Sequence, residues 1–152
     1  MSEAEFRRWL VKNKPTKSMI QPIETSTGAG IPDLYYCYRS SSCWIELKET
    51  ERTGCYMRVS QWLWFGKLRE AGGRGFLIIK RKARRPYTID IYDIRQFVRQ
   101  NGQPRAGKLS GKDILFKDIK PVVTVEVASG HEYFYNVLHK LLLKKGLDKD
   151  EN

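Results

Sequence analysis

Hydrophobic and polar positions repeat with distinct rhythms along this chain, and each rhythm marks a kind of element. From Glu3 to Lys12 the apolar residues Phe6, Trp9 and Leu10 recur at i, i+3 and i+4, the spacing of an amphipathic helix. Ser2 stands where a cap belongs, with Glu5 three positions on. Pro15 in "KNKPTK" ends that helix, because proline cannot continue the backbone ladder. "SMIQPIET" reads as a strand in which Pro22 implies an edge or a bulge. The glycines of "STGAG" mark a loop that permits unusual backbone angles or close approach of another group. "IPDLYYCY", a polar "RSSS" turn and "CWIELK" then form a hairpin pattern. Beyond the charged loop "ETERTGCYMR", helical rhythm returns in "VSQWLWFGKLREAGG". Ser60 caps this helix, Gln61, Trp64, Phe65 and Leu68 share one side, and Gly72 and Gly73 stop it.

"GFLIIK" has the continuous apolar run of a buried strand and "YTIDIYD" reads as another. "DIRQFVRQNG" predicts a short helix ending at Gly102. Further on, "PVVTVEV" predicts a strand and "HEYFYNVLHKLLLKKG" a final helix with Phe134, Leu138 and Leu141 inward. The tail "LDKDEN" is expected to fray. The fourth strand follows a helical crossover, so an α/β fold is expected, with a mixed central sheet and helices on both faces. No repeat or linker divides the chain. One domain over residues 1–152 is expected, with a core of about 3–101 and a strand–helix extension of about 103–146.

Composition sharpens the picture. At 152 residues, 41% hydrophobic and 12% aromatic, the chain can build a real core. Lys and Arg number 28 against 17 acids, a net charge of +11. That surplus favours a polyanionic partner through phosphate contact and counterion release. No run approaches the roughly 18 apolar residues of a membrane span, and "MSEAEFRRWLVKNK" is unlike a secretory signal. Cys37, Cys43 and Cys55 are odd in number and lack a C-x-x-C pair, which suits free thiols in a reducing cytoplasm. With His131 or His139 they fit no usual zinc spacing.

The hairpin raises a chemical question, because charged residues in an aromatic, β-branched segment cost stability unless exposed, paired or used. A four-residue turn at Arg39–Ser42 would set Tyr35 opposite Glu46 and Asp33 opposite Lys48. Asp33, Tyr35, Glu46 and Lys48 would then share one face, as they do for any turn of even length. Two carboxylates placed so can converge on a cation, and oxygen donors of this kind suit Mg²⁺ or Mn²⁺. Lys48 can orient an attacking water or stabilise charge on a phosphoryl group. An ordinary Asp33–Lys48 cross-strand ion pair on a solvated face accounts for the same residues.

In order, "GAGIPDLYY", "CWIELK" and "VSQWLWFGKLREAGGRGFLII" resemble the PD-(D/E)xK nuclease signature, with twelve residues between the two acids. More narrowly they are similar to the VRR-NUC branch and its neighbours, the archaeal-type Holliday junction resolvases. The resemblance spans about Glu3 to Lys80 and leaves the C-terminal third without a counterpart. It implies a restriction-endonuclease-like αβββαβ core and a divalent-metal phosphodiesterase site. Asp33, Glu46 and the Leu47 carbonyl would be metal ligands and Lys48 catalytic. Glu5 would be the acid often found on the first helix, though it equally reads as the acid of a capping box with Ser2. Gln61 would reach the site across the sheet, or simply sit at a helix terminus.

Five basic residues, Lys80, Arg81, Lys82, Arg84 and Arg85, read as a hydrophilic loop between two strands, and Arg52 and Arg58 follow Lys48. Beside such a site they would form a phosphate track; otherwise they are a solvated charge run. Trp44, Trp62 and Trp64 can stack on bases, but their spacing is also that of core residues. His131 and His139 have no evident partner in the sequence. The resulting expectation is a Mg²⁺- or Mn²⁺-dependent DNA endonuclease, selective for branched DNA and a homodimer if it cuts junctions. The alternative is a non-catalytic basic nucleic-acid-binding module on the same scaffold.

Overall fold

The computed structural model describes residues 2–24, 30–97, 108–110, 113–116 and 119–144. A helix, α1 (Glu3–Lys12), precedes strands β1 (Ser18–Pro22), β2 (Leu34–Tyr38) and β3 (Ser41–Thr50). A short strand, β4 (Cys55–Arg58), runs into α2 (Val59–Glu70), then β5 (Gly75–Arg81) and β6 (Thr88–Asp93). Strands β7 (Lys108–Ser110), β8 (Asp113–Phe116) and β9 (Val123–Glu126) and helix α3 (Gly130–Leu143) complete the order. Six strands form the central sheet in the order β1-β2-β3-β5-β6-β9. Only β3 and β5 run parallel within it, joined through α2 as a crossover. The fold is therefore the expected mixed α/β sheet with helices on both faces.

Each face of the sheet buries its own core. On one side, Phe6 and Leu10 of α1 and Phe134, Tyr135, Leu138 and Leu142 of α3 pack over Leu34, Tyr36, Ile45, Leu47 and Ile78. On the other, Phe65 of α2 meets Leu77 and Ile79 together with Met57, Ile114 and Phe116 of the small β4-β8-β7 sheet. Tyr135 donates its hydroxyl hydrogen to the Leu10 carbonyl, tying α3 to α1. The Arg74 guanidinium donates to the Leu141 and Leu142 carbonyls at 2.8 Å each, satisfying the open end of α3. It also pairs with buried Asp93 at 3.3 Å. Leu141 is only half-buried, and the inward positions are Phe134, Tyr135, Leu138 and Leu142.

Several boundaries differ from expectation. The hairpin turn holds two residues, not four: Arg39 and Ser40 carry φ of +50° and +65°, as the preferred two-residue hairpin turn requires. Tyr38 pairs with Ser41 and Tyr35 with Trp44, so Asp33 lies opposite Glu46 rather than Lys48. Both turns are even, so the shared face survives the two-residue shift. "CYMR", read as loop, is β4, because Cys55 and Met57 find a buried partner strand far along the chain in β8. Helix α2 begins at Val59, with Arg58 as its cap and Ser60 inside the first turn. After β6 there is a single 3-10 turn, Ile94–Phe97; the rest of the helix expected to end at Gly102 lies outside the described residues. So do most of "STGAG" and the tail expected to fray. Pro22 sits on β1, an edge strand of the sheet, where its missing N–H costs nothing. No helix among the described residues is long and apolar enough to cross a membrane.

Gly30 fixes how the hairpin meets α2. Its φ is +79°, and a Cβ there would overlap the Ser60 carbonyl and the Gln61 amide nitrogen. Gly30→Ala is therefore expected to cost about 1–3 kcal/mol of stability. The urea midpoint measures this; an unchanged midpoint would mean the close approach is not a constraint.

Candidate functional site

The shared face of the hairpin supplies the site. Asp33 stands just before β2, and its carbonyl accepts from the Ile23 N–H at 2.8 Å, carrying the β1–β2 pairing one residue further. Its carboxylate turns to β3 and accepts from the Leu47 N–H at 2.8 Å. Continuing the register of β2 and β3 sets Pro32 opposite Leu47. Proline has no N–H to give, so the ladder has no donor from that position for the Leu47 carbonyl. Glu46, directly across from Asp33, is 4% exposed. Directly opposed residues hold their Cβ atoms about 5 Å apart, so the two carboxylates are crowded together.

Gln61 organises the pair. Third in α2, it is buried, and its Oε1 accepts from the Arg58 backbone N–H at 3.0 Å, capping the helix from within. Its Nε2 donates to Glu46 Oε2 at 2.7 Å, and its Oε1 also accepts from Lys48 Nζ at 3.2 Å. Lys48 Nζ lies 4.0 Å from Glu46 Oε2 and 5.3 Å from the centre of the Tyr56 ring. One amide thus joins the acid and the lysine.

A cavity of about 500 Å³ opens onto these groups, lined by Asp33, Glu46 and Gln61 with Glu3, Arg7 and Arg58 at its walls. Burial, then the Asp33 charge, pushes the Glu46 carboxyl up to about 8, against the opposing pull of Lys48. Asp33 is also raised, chiefly by burial, although its bond from Leu47 and the nearby Arg7 and Lys48 work the other way. Glu3 is raised by partial desolvation and by Asp33.

The acid that α1 presents to the cavity is Glu3, not Glu5. Glu5 accepts from the Ser2 N–H at 2.7 Å while its own N–H donates to Ser2 Oγ at 3.2 Å. This is a capping box, and the Ser2 bond holds the Glu5 carboxyl below its usual range. Extending the Phe6–Leu10 stripe one turn back along the helix reaches Glu3, and Arg7 is four residues from it. That periodicity carried the signal for both residues.

The basic candidates separate. Arg58 is exposed at the cavity wall. Arg52 pairs with Asp113 at 2.7 Å and lies 3.9 Å over the Tyr56 ring. Lys80 is no loop residue: it lies in β5, 3% exposed, with its ammonium 5.2 Å from the Tyr87 ring. Arg81, also in β5, is bound to Asp90 at 2.9 Å and to the Gly54 carbonyl at 2.6 Å. Lys82 pairs with Glu49 at 3.1 Å. Arg84 and Arg85 are exposed, Arg85 lying 5.6 Å from the Tyr87 ring. His139 stacks on Tyr38 at 3.6 Å and shares a 2.6 Å hydrogen bond with the Tyr36 hydroxyl. It sits at the turn end of the hairpin, and His131 meets Trp9 edge-on.

No protein-family model and no curated protein matches the chain. Among solved structures, it is similar to Hjc, a Holliday junction resolvase from the archaeal hyperthermophile Archaeoglobus fulgidus. The TM-score is 0.51 and the identity 12%, over 82% of this chain and 94% of that one. The fold is Hjc-like. At that identity the likeness concerns the course of the backbone, and the chemistry must be argued from the residues here.

The crowded acid pair has a pH signature. The folded chain keeps a proton on Glu46 that the unfolded chain releases near 4.5, so stability falls as pH climbs from 4.5 towards about 8. In cation-free buffer, Glu46→Gln is expected to flatten that fall and to be the more stable protein at pH 8. Urea unfolding across this window tests it; parallel curves for the two proteins would sink the idea.

Proposed function

We propose that this chain is a divalent-metal-dependent DNA endonuclease that hydrolyses phosphodiester bonds, selective for branched or junction DNA. The observation that carries the reading is the bonded line Glu46–Gln61–Lys48, whose acid and amide share one open cavity with Asp33. An isolated cross-strand ion pair would not need a buried second acid or an amide committed to both partners.

Asp33 and Glu46, with the Leu47 carbonyl, are oxygen donors of the kind Mg²⁺ or Mn²⁺ takes, the remaining places going to water and phosphate. No group of three His, Cys, Asp or Glu side chains stands at ligand spacing among the described residues. When bound, such an ion would neutralise the two acids and polarise a phosphoryl oxygen. The chain's own groups would do the rest. Lys48, held by Gln61, would orient the attacking water and offset charge developing on phosphorus. Arg7 and Arg58, on the walls of the cavity, would hold the scissile phosphate. Glu3 would bind a water facing that phosphate and would take the place of first-helix acid that the sequence resemblance offered to Glu5.

The basic track contracts to the exposed cations Arg58, Arg84 and Arg85, with Arg52 and Lys82 available at the cost of their ion pairs. Contacts of this kind position DNA by its backbone and carry no base readout, so shape is the property such a protein would select. Cutting both sides of a junction calls for two sites, hence a homodimer. The VRR-NUC branch is the narrower form of this reading and rests on the order of the sequence motifs. A non-catalytic basic module remains the competing reading.

Labelled duplex, single-stranded, flap and four-way-junction DNA incubated with Mg²⁺, Mn²⁺ or EDTA decides between them. Cutting is expected only with metal, and Asp33→Asn, Glu46→Gln and Lys48→Met should each lower it about 100-fold or more. Glu3→Gln should weaken it, whereas Glu5→Gln should not. Binding without cutting in every metal would leave the basic module standing.

A further inference from the structure

Helix α2 covers only part of its face of the sheet. It packs over β3 and β5, and among the described residues no side chain of β1 or β2 joins the core beneath it. The register names what that face carries. Tyr35 stands opposite both Gln21 and Trp44, and the next row towards the turn pairs Cys37 with Met19. Met19 is 51% exposed and Gln21 is exposed. Tyr35, Cys37, Trp44 and Trp64 are half-buried. Their alternates, Ile20 and Tyr36, point into the opposite core.

The three aromatic rings are connected. Tyr35 meets Trp44 edge-on with centroids 5.1 Å apart, and Trp44 meets Trp64 of α2 likewise at 5.1 Å. Tyr35 follows Asp33 by two residues and Trp44 precedes Glu46 by two. The aromatic row therefore adjoins the acid row on one face, about 7 Å along the strands. That is about the reach of one nucleotide. The charges around it favour a phosphodiester strand. Lys17 is exposed immediately before β1, and exposed Lys67 lies one helical turn from Trp64. Met19, Gln21, Tyr35, Cys37 and Trp44 bring no carboxylate.

We propose that this open face is a stacking platform for the unpaired bases of a single-stranded DNA segment, with Tyr35, Trp44 and Trp64 as its aromatic surface. Bases present flat faces that stack on such rings without regard to sequence, and sheet-borne aromatics are a known way to hold unpaired strands. The proposal deepens the nuclease reading and rests on it in one respect: a strand lying here would deliver its neighbouring phosphate to Asp33 and Glu46. Its substrates are then DNAs with a splayed or unpaired strand beside the cut, in preference to unbroken duplex.

Binding alone tests it, in EDTA and on the full chain, so the result does not depend on whether the protein cuts. The probes are a single-stranded oligonucleotide carrying 2-aminopurine and the matching duplex. Stacking is expected to quench the 2-aminopurine emission on the single strand. Tyr35→Leu keeps an apolar side chain and removes the ring; it should lower the single-strand-to-duplex affinity ratio about tenfold. Trp64→Phe, which keeps a ring, should lower it less, and circular dichroism checks that both variants fold. No quenching, or a ratio unmoved by Tyr35→Leu, would overturn the platform. An oligomeric state that Tyr35→Leu or Met19→Lys breaks, with the ratio unmoved, would overturn it too and make the face an interface between copies. If the ratio responds but no DNA is ever cut, the platform stands and the nuclease reading fails.

Discussion

A carboxylate buried against a second carboxylate is the constraint on which the rest of this structure turns. Glu46 is shut inside the sheet and faces Asp33, an arrangement that burial and like charge both oppose. The surrounding bonds make it tolerable. Gln61 gives one hydrogen to Glu46, Leu47 gives its amide hydrogen to Asp33, and Lys48 stands 4.0 Å from Glu46. Gly30 makes room for the first turn of α2 to bring Gln61 within reach. A fold seeking stability alone would place a hydrophobic residue at position 46, as it does at 45 and 47. Under the proposed nuclease reading, the acid pair is stability given up for a cation and phosphate site.

Much of this was legible in the sequence, for identifiable reasons. The parity of the hairpin decided which charges share a face, and parity is insensitive to whether the turn has two residues or four. The exact register was not legible, because Arg39 and Ser40 adopt positive φ without the glycine or asparagine that usually announces such a turn. Strand β4 was hidden for another reason. Four residues carry little periodicity, and the partner strand β8 lies nearly sixty residues away. Glu3 and Glu5 are both acids in the first turn of α1. Only the continuation of the Phe6–Leu10 stripe tells which one looks at the sheet.

The basic run shows the limit of reading charge as a surface property. Lys80 and Arg81 have the composition of a loop, yet Tyr87 and Asp90 on the returning chain draw them into β5. Arg52 and Lys82 are neutralised in pairs with Asp113 and Glu49, and Arg74 is spent on the end of α3 and on Asp93. These cations are held by carboxylates, carbonyls and a ring. The net charge of +11 therefore overstates any continuous positive stripe.

What remains positive is distributed with some logic. Arg7 and Arg58 flank the acid cavity, where their charge counters the crowding of Asp33 and Glu46. Arg84 and Arg85 lie past the end of β5, and since β3 and β5 run parallel, they extend in the direction from Glu46 through Lys48. Lys17 and Lys67 lie the other way, around the aromatic face. The acid pair thus sits between two cationic regions of different character, one fringing bare hairpin loop and the other fringing half-buried rings. A uniform duplex would use phosphate contacts in both directions and leave the rings idle. A molecule that is paired on one side of the scissile phosphate and unpaired on the other would engage each region with the chemistry it offers.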